Sequence, residues 1–201
     1  MIRSLQITWL LLAINFIFIN FSYATSIQGM NVEQALSASE FVFEGQVIKT
    51  EPGQDKVTGL IKTLVTFKIT DTIKGKVTSP VISLSFLGGR FGNEVLEVED
   101  MHIPELGEKG IYFVESLNRN QVNPLTGWSQ GHFLVLTDQN GVDRISTVDR
   151  KPVVTVSIPN QQSAGLSKGY AQGLELASPS LMKNALSKKD FKNYLSNLSV
   201  K

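Results

Sequence analysis

The fold is decided by residues 81–114, which read VISLSFLGGRFGNEVLEVEDMHIPELGEKGIYFV. Apolar and polar side chains alternate along its runs, as they do in β-strands, whereas glycine and proline fall between the runs. The stretch therefore predicts a strand, a glycine-rich turn, a second strand, a Pro/Gly connection and a third strand. No catalytic motif accompanies it.

The flanking sequence continues the strand pattern. Further strands are predicted at residues 41–50, 60–73, 131–137, 142–147 and 152–158. Residues 51–55 (EPGQD) predict a turn. Gly45, in the middle of the first strand, predicts a bulge or a sharp bend. Short strands with turn signals between them, together with this bend, favour a mainly β fold: a small antiparallel barrel of the OB type.

Helices are predicted only near the two ends of this strand region. Residues 31–39 form a short helix with Asn31 as its N-cap. Residues 187–198 form a C-terminal helix, because Ser187 and Asp190 make a capping box and an apolar stripe follows. The stripe consists of Phe191, Tyr194, Leu195 and Leu198.

Four segments follow from this pattern. Residues 1–24 are predicted to be a cleaved signal peptide. Arg3 supplies a positive charge, an apolar run follows it, and Ser22 and Ala24 place small residues at positions −3 and −1 of the cleavage site. Residues 25–158 form the β-barrel domain. Residues 159–178, rich in Gly, Gln and Ser, read as a flexible linker, and residues 179–201 as the C-terminal helical segment. An uncleaved N-terminal anchor is the alternative for the first segment. After leader removal no integral membrane segment is expected, and the protein is exported to the periplasm or outside the cell.

The composition of the chain excludes several kinds of site and makes one class of partner a poor candidate. The chain has 201 residues and no cysteine, which excludes disulfides, cysteine-bound metals and thiol catalysis. Removing Arg3 from the 19 Lys and Arg leaves 18, equal to the 18 Asp and Glu. A balanced charge without a basic stripe makes nucleic acid a poor partner, because phosphate binding needs clustered cations.

Several residue runs carry a family resemblance. They are FVFEGQV at 41–47, Ile-Lys-Gly at 73–75, Gly-Gly at 88–89, IPELGEKGIYFV at 103–114 and Gly-His-Phe at 131–133. This layout resembles a group of exported bacterial proteins of unknown function, some of them associated with matrixin-type zinc metalloproteases. It is also similar to netrin-like OB barrels, which include the tissue inhibitors of metalloproteinases. The resemblance covers about residues 39–136.

The resemblance implies a barrel scaffold and an association with metalloproteases. It does not imply the inhibitory mechanism of those inhibitors. They chelate zinc through an N-terminal cysteine, and this chain has none.

The candidate binding residues lie in two rim loops. The first is the glycine turn, with Gly88, Gly89, Arg90, Phe91 and Asn93; here Phe91 would anchor a partner and Arg90 would donate forked hydrogen bonds. The second is residues 121–128, which present Trp128. The alternatives are a flexible hairpin connection for the first loop and a plug at one barrel end for Trp128.

The sequence predicts no catalytic residue, no metal and no cofactor. His102 and His132 are 30 residues apart and lack the short spacing of zinc motifs. Ser129 precedes His132 by three residues, but no acidic residue stands beside them to orient the histidine. Glu97, Glu99 and Asp100 form an acidic run that reads as a solvated face, with paired-carboxylate hydrolysis as the alternative.

The predicted function is therefore an exported, non-enzymatic binding module. It would dock a protein partner, such as a zinc metalloprotease, through the two rim loops. A hydrolase acting through surface carboxylates and a structural component of the cell envelope remain open as alternatives.

Overall fold

The computed structural model describes residues 27–76, 78–157 and 165–199. The predicted signal peptide at 1–24 lies outside these residues, so its cleavage stays a prediction. Within the described part, no helix is long and apolar enough to cross a membrane.

A six-stranded antiparallel sheet forms the body of the protein, with strand order β3-β2-β1-β6-β7-β8. Two short ribbons, β4–β5 and β9–β10, stand beside it. The strands are β1 Phe41–Gln54, β2 Ile61–Lys74, β3 Val81–Leu87, β4 Gly89–Phe91, β5 Glu94–Leu96, β6 Lys109–Val114, β7 His132–Thr137, β8 Asp143–Ser146, β9 Val153–Val156 and β10 Leu174–Leu176. The mainly β, antiparallel class is confirmed.

The first strand is irregular where the sequence predicted it. Its register against β2 shifts between Glu44 and Gly45, and again between Val47 and Lys49. A Cβ at Gly45 would lie 2.9 Å from the carbonyl oxygen of Lys68, so the two backbones approach too closely for any side chain. The predicted bulge is confirmed. The predicted turn at 51–55 is wrong, because β1 runs on to Gln54 and pairs with the start of β2.

Apolar side chains cover both faces of the sheet. One layer is dominated by aromatic rings: Phe41, Phe43, Phe67, Phe86 and Tyr112. The other layer includes Val42, Ile111, Phe113 and Phe133, and is covered by two α-helices, α1 Val32–Ala38 and α2 Lys188–Ser199. Burial on both faces explains why the central strand β6 reads as a continuous apolar run.

The sheet does not close into a barrel through a strand ladder. In the described residues no ladder joins the outer strands β3 and β8. Instead, residues 122–126 cross from β6 to β3: Thr126 donates to the Phe113 carbonyl at 2.8 Å, and Leu87 donates to the Val122 carbonyl at 2.8 Å. The backbone of this loop therefore links β6 to β3 by hydrogen bonds.

Both helices near the ends of the described chain are confirmed. In α1, the Asn31 side chain accepts from the Gln34 amide, and the Gln34 side chain accepts from the Asn31 amide. In α2, the Asp190 amide donates to the Ser187 hydroxyl. Helix α2 then buries Phe191 completely, with its ring 4.8 Å from that of Phe133. A 3₁₀ helix, Pro179–Asn184, precedes it.

Helix α2 is also held by ion pairs. Lys192 lies 2.7 Å from Glu44 on β1 and 2.5 Å from Asp71 on β2. Lys188 lies 3.0 Å from Glu44 and 2.7 Å from Asp143 on β8. The helix is therefore fastened across three strands by apolar packing and charge together.

The predicted linker at 159–178 does not leave the body as a free tether where it is described. Gly29 donates to the Gly165 carbonyl at 2.8 Å, and Gln172 donates to the Met30 carbonyl at 2.8 Å. Residues 174–176 then pair with β9. Its Gly, Gln and Ser composition suggested mobility, but the segment pairs its backbone with residues 27–30, far away in sequence.

Candidate functional site

The glycine turn folds into a small ribbon, here called the rim hairpin (residues 89–96, strands β4 and β5). Its root is fixed to the sheet, because Gly88 donates to the Ile61 carbonyl at 2.8 Å and the Thr63 hydroxyl donates to the Gly88 carbonyl at 2.7 Å. Gly89 has φ of +121°, and a Cβ there would lie 2.2 Å from the Thr63 hydroxyl oxygen. Only glycine fits this root.

The rim hairpin exposes apolar side chains on both of its faces. Cross-strand pairing places Arg90 opposite Val95 and Phe91 opposite Glu94, so Phe91 and Val95 point to opposite faces. Phe91 is 44% exposed and Val95 is 46% exposed. On the side of Arg90 and Val95 lies a cleft of 430 Å³, the hairpin cleft, whose far wall includes Met101 and Ile103.

The predicted site residues divide between two places. Gly88 and Gly89 form the root of the rim hairpin, and three others lie on the hairpin itself: Arg90, Phe91 and Asn93. Trp128 is elsewhere: it is half-buried, has φ of +59°, and begins a 3₁₀ helix, Trp128–Gly131. It is not among the residues that line the hairpin cleft.

A second group of polar side chains brings together residues that lie far apart in the sequence. Three side chains form the group here called the His–Glu–His cluster: His102, Glu108 and His132. Each offers one atom that could bind a metal ion, and these atoms all lie within 4.8 Å of one another. One Glu108 oxygen lies 2.8 Å from Nε2 of His132 and 3.0 Å from the Tyr112 hydroxyl, which donates to it. The other Glu108 oxygen lies 2.9 Å from Nε2 of His102.

The sheet brings these side chains together. Glu108 immediately precedes β6, and Tyr112 follows four residues later on the same strand face. His132 opens β7 and stands opposite Tyr112 in the ladder, with the rings 4.9 Å apart. His102 arrives from the connection before β6, with its ring 5.1 Å from that of His132.

The cluster is a largely buried carboxylate that accepts three side-chain hydrogen bonds. Burial raises the pKa of Glu108, but the hydrogen bonds from His102 and His132 outweigh it, and the net pKa lies well below the ordinary 4.5. Burial lowers the pKa of His132 more than the Glu108 charge raises it. Burial, reinforced by the Glu108 charge, raises the pKa of Tyr112, so its hydroxyl stays protonated. His132 is therefore neutral and donates Nε2–H.

The cluster does not assemble a serine nucleophile. Glu108 supplies the acidic partner for His132 that the local sequence lacked. The Ser129 hydroxyl, however, donates to the Asp100 carbonyl at 2.9 Å. Nδ1 of His132 is buried and has no hydrogen-bond partner among the residues that the structure describes. Two imidazoles and a carboxylate match the ligand types that zinc takes, and the two histidines, 30 residues apart in sequence, lie with their rings 5.1 Å apart in the fold.

The acidic run does not form one carboxylate pair in a shared cleft. Glu97, Glu99 and Asp100 are all exposed. Glu97 lines the hairpin cleft, whereas Asp100 lines a separate cleft of 310 Å³ beside His102, the His102 cleft. Since β5 ends at Leu96, the run belongs to the loop after the strand. No two residues of the run share a cleft, but Asp100 lines the His102 cleft together with Asp149, so paired-carboxylate hydrolysis stays an alternative.

Comparisons of the chain with protein-family models, with curated proteins and with solved structures find no match.

Proposed function

We propose that the protein is an exported, non-enzymatic binding module that docks a protein partner through the rim hairpin. The observation that carries this proposal is the exposure of Phe91 and Val95 on opposite faces of a ribbon that is rigid at its root. Aromatic side chains presented on a fixed support are typical anchors of protein interfaces.

Exposure on both faces indicates the shape of the partner. A flat partner could cover only one face of a two-stranded ribbon and would leave the other apolar side chain in water. A partner with a cleft covers both at once, with the hairpin inserted as a wedge. The family resemblance implies a zinc metalloprotease, a class of protein whose active site is such a cleft. Arg90, exposed beside Val95, would then pair with carboxylates at the cleft edge.

The test uses matched serine variants. The purified protein captures partners from the exported protein fraction of the source cells, and the affinity for a captured metalloprotease is then measured. Phe91→Ser is expected to weaken binding by about tenfold or more, which corresponds to about 1.4 kcal/mol. Val142→Ser is the control, because Val142 is 37% exposed and lies on the β7–β8 turn, at the opposite edge of the six-stranded sheet from β3.

Two results would overturn the proposal. One is equal binding by the Phe91→Ser and Val142→Ser variants. The other is the absence of any exported protein partner, together with hydrolase activity against generic substrates.

A further inference from the structure

The His–Glu–His cluster has the donors of a metal site. Zinc in proteins takes imidazole nitrogen and carboxylate oxygen, and two histidines with one glutamate and an open fourth position form a known ligand set. Zinc–ligand bonds of about 2.0–2.1 Å place neighbouring ligands of a tetrahedral site about 3.3 Å apart. The Nε2–oxygen distances here are 2.8 and 2.9 Å, and all three donors lie within 4.8 Å. The set is therefore close to the required size.

The charge of the cluster also suits a divalent cation. The Glu108 side chain is only 12% exposed and that of His132 is fully buried. The side-chain partners described for Glu108 are His102, His132 and Tyr112, and none of them is a lysine or an arginine. A buried carboxylate without a fixed cation is costly, and a bound metal ion would neutralise it.

An ion can reach the cluster from one side. The His102 side chain is 28% exposed and lines the His102 cleft together with Asp100, Ser129 and Asp149. Its ring lies on the connection between β5 and β6 rather than in a strand, so a small rotation can bring Nε2 toward the other two donors. The same cleft leaves room for a water molecule as the fourth ligand.

We propose that His102, Glu108 and His132 bind one zinc ion, with a water molecule completing the site from the His102 cleft. Each imidazole then presents the Nε2 lone pair, and its proton is carried on Nδ1. The Tyr112 hydroxyl continues to donate to Glu108 and orients the carboxylate. The ion would tie the connection that carries His102 to strands β6 and β7. This inference does not depend on the docking role of the rim hairpin.

The test is a zinc titration of the purified, chelator-treated protein by isothermal calorimetry. The expected result is one zinc per chain with a Kd at or below about 1 μM. His102→Ala is the main variant, because its side chain is the most exposed of the three, and it should weaken binding by about 100-fold. Glu105→Gln, an exposed glutamate in the same connection, should bind as the unaltered protein does.

X-ray absorption at the zinc edge gives a second readout that needs no variant. Two imidazole nitrogens and one carboxylate oxygen at about 2.0–2.2 Å are expected around the metal. Binding no tighter than millimolar would overturn the proposal, and so would unchanged affinity in a folded His102→Ala variant or a coordination shell without histidine. Phe91→Ser should leave the zinc affinity unchanged, so this test and that of docking fail independently.

Discussion

Replacing Glu108 with alanine should cost a large share of the stability of the metal-free protein. The side chain accepts hydrogen bonds from the Tyr112 hydroxyl at 3.0 Å, from Nε2 of His132 at 2.8 Å and from Nε2 of His102 at 2.9 Å. Tyr112 and His132 are buried. Without the carboxylate, two buried donors lose their acceptor, whereas His102 can turn toward water.

The magnitude follows from these two donors. A buried polar group left unsatisfied costs about 1–3 kcal/mol, so two of them cost about 2–6 kcal/mol. Glu108→Gln should fall between alanine and the unaltered protein, because its carbonyl can still accept from both buried donors while the negative charge is lost.

The assay is urea unfolding at pH 7.5 in the presence of a chelator, which removes any contribution from bound metal. Glu105→Ala, from the same connection but exposed, is the matched control and should change the free energy of unfolding by less than about 0.5 kcal/mol. The reasoning is refuted if Glu108→Ala is no more destabilising than this control, or if Glu108→Gln is the worse of the two Glu108 variants.

Three further outcomes follow from the packing, the charges and the backbone. Phe191→Ala should lower the free energy of unfolding by about 3–5 kcal/mol in urea denaturation, because the ring is fully buried under α2. Burial raises the pKa of Glu44, but the hydrogen bonds and charges of its lysine partners outweigh it and hold the pKa below the ordinary 4.5. The ion pair with Lys192 therefore stabilises the folded state above pH 4.5, and its contribution is lost as the pH falls through the lowered pKa of Glu44. Lys192→Met should lower the free energy of unfolding at pH 7, and progressively less below pH 4.5, in a series of unfolding measurements over pH. Gly89→Ala should lower the free energy of unfolding by about 1–3 kcal/mol more than Gly92→Ala, as measured by thermal unfolding. Both glycines have positive φ, but only the added Cβ at residue 89 would meet another atom, the Thr63 hydroxyl oxygen at 2.2 Å. Equal losses in the two variants would contradict this close approach.

Local sequence patterns predicted most of the secondary structure. Alternation indicated β2 and β3, the glycine indicated the bulge of β1, and the Ser187–Asp190 pair indicated the start of α2. Errors arose where a distant partner decides the local structure. β1 passes through Pro52 and Gly53 because β2 pairs with it along its whole length. Residues 165–178 are fixed by residues 27–30 and by β9.

The two candidate sites likewise differ in whether local sequence or a distant partner determines them. The rim hairpin could be located from its glycines, because a turn is a local event. Its strand β5 falls within the predicted second strand, whereas the short strand β4 was not expected. The His–Glu–His cluster could not be located in this way, because Glu108 meets His132 only through the pairing of β6 with β7 and meets His102 only through the fold of the connection. One local signal was present: Glu108 and Tyr112, four residues apart on one strand face, can share a hydrogen bond.

The docking role of the rim hairpin is tested most directly by site-specific photo-crosslinking in the exporting cells. A photoreactive amino acid is placed at residue 91 in one strain and at residue 142, on the β7–β8 turn, in another; the native side chains are 44% and 37% exposed. The proposed function predicts one protein adduct at residue 91, identified by mass spectrometry as a cleft-bearing exported protein, and none at residue 142. Adducts of the same pattern and yield at both positions would contradict docking through the hairpin.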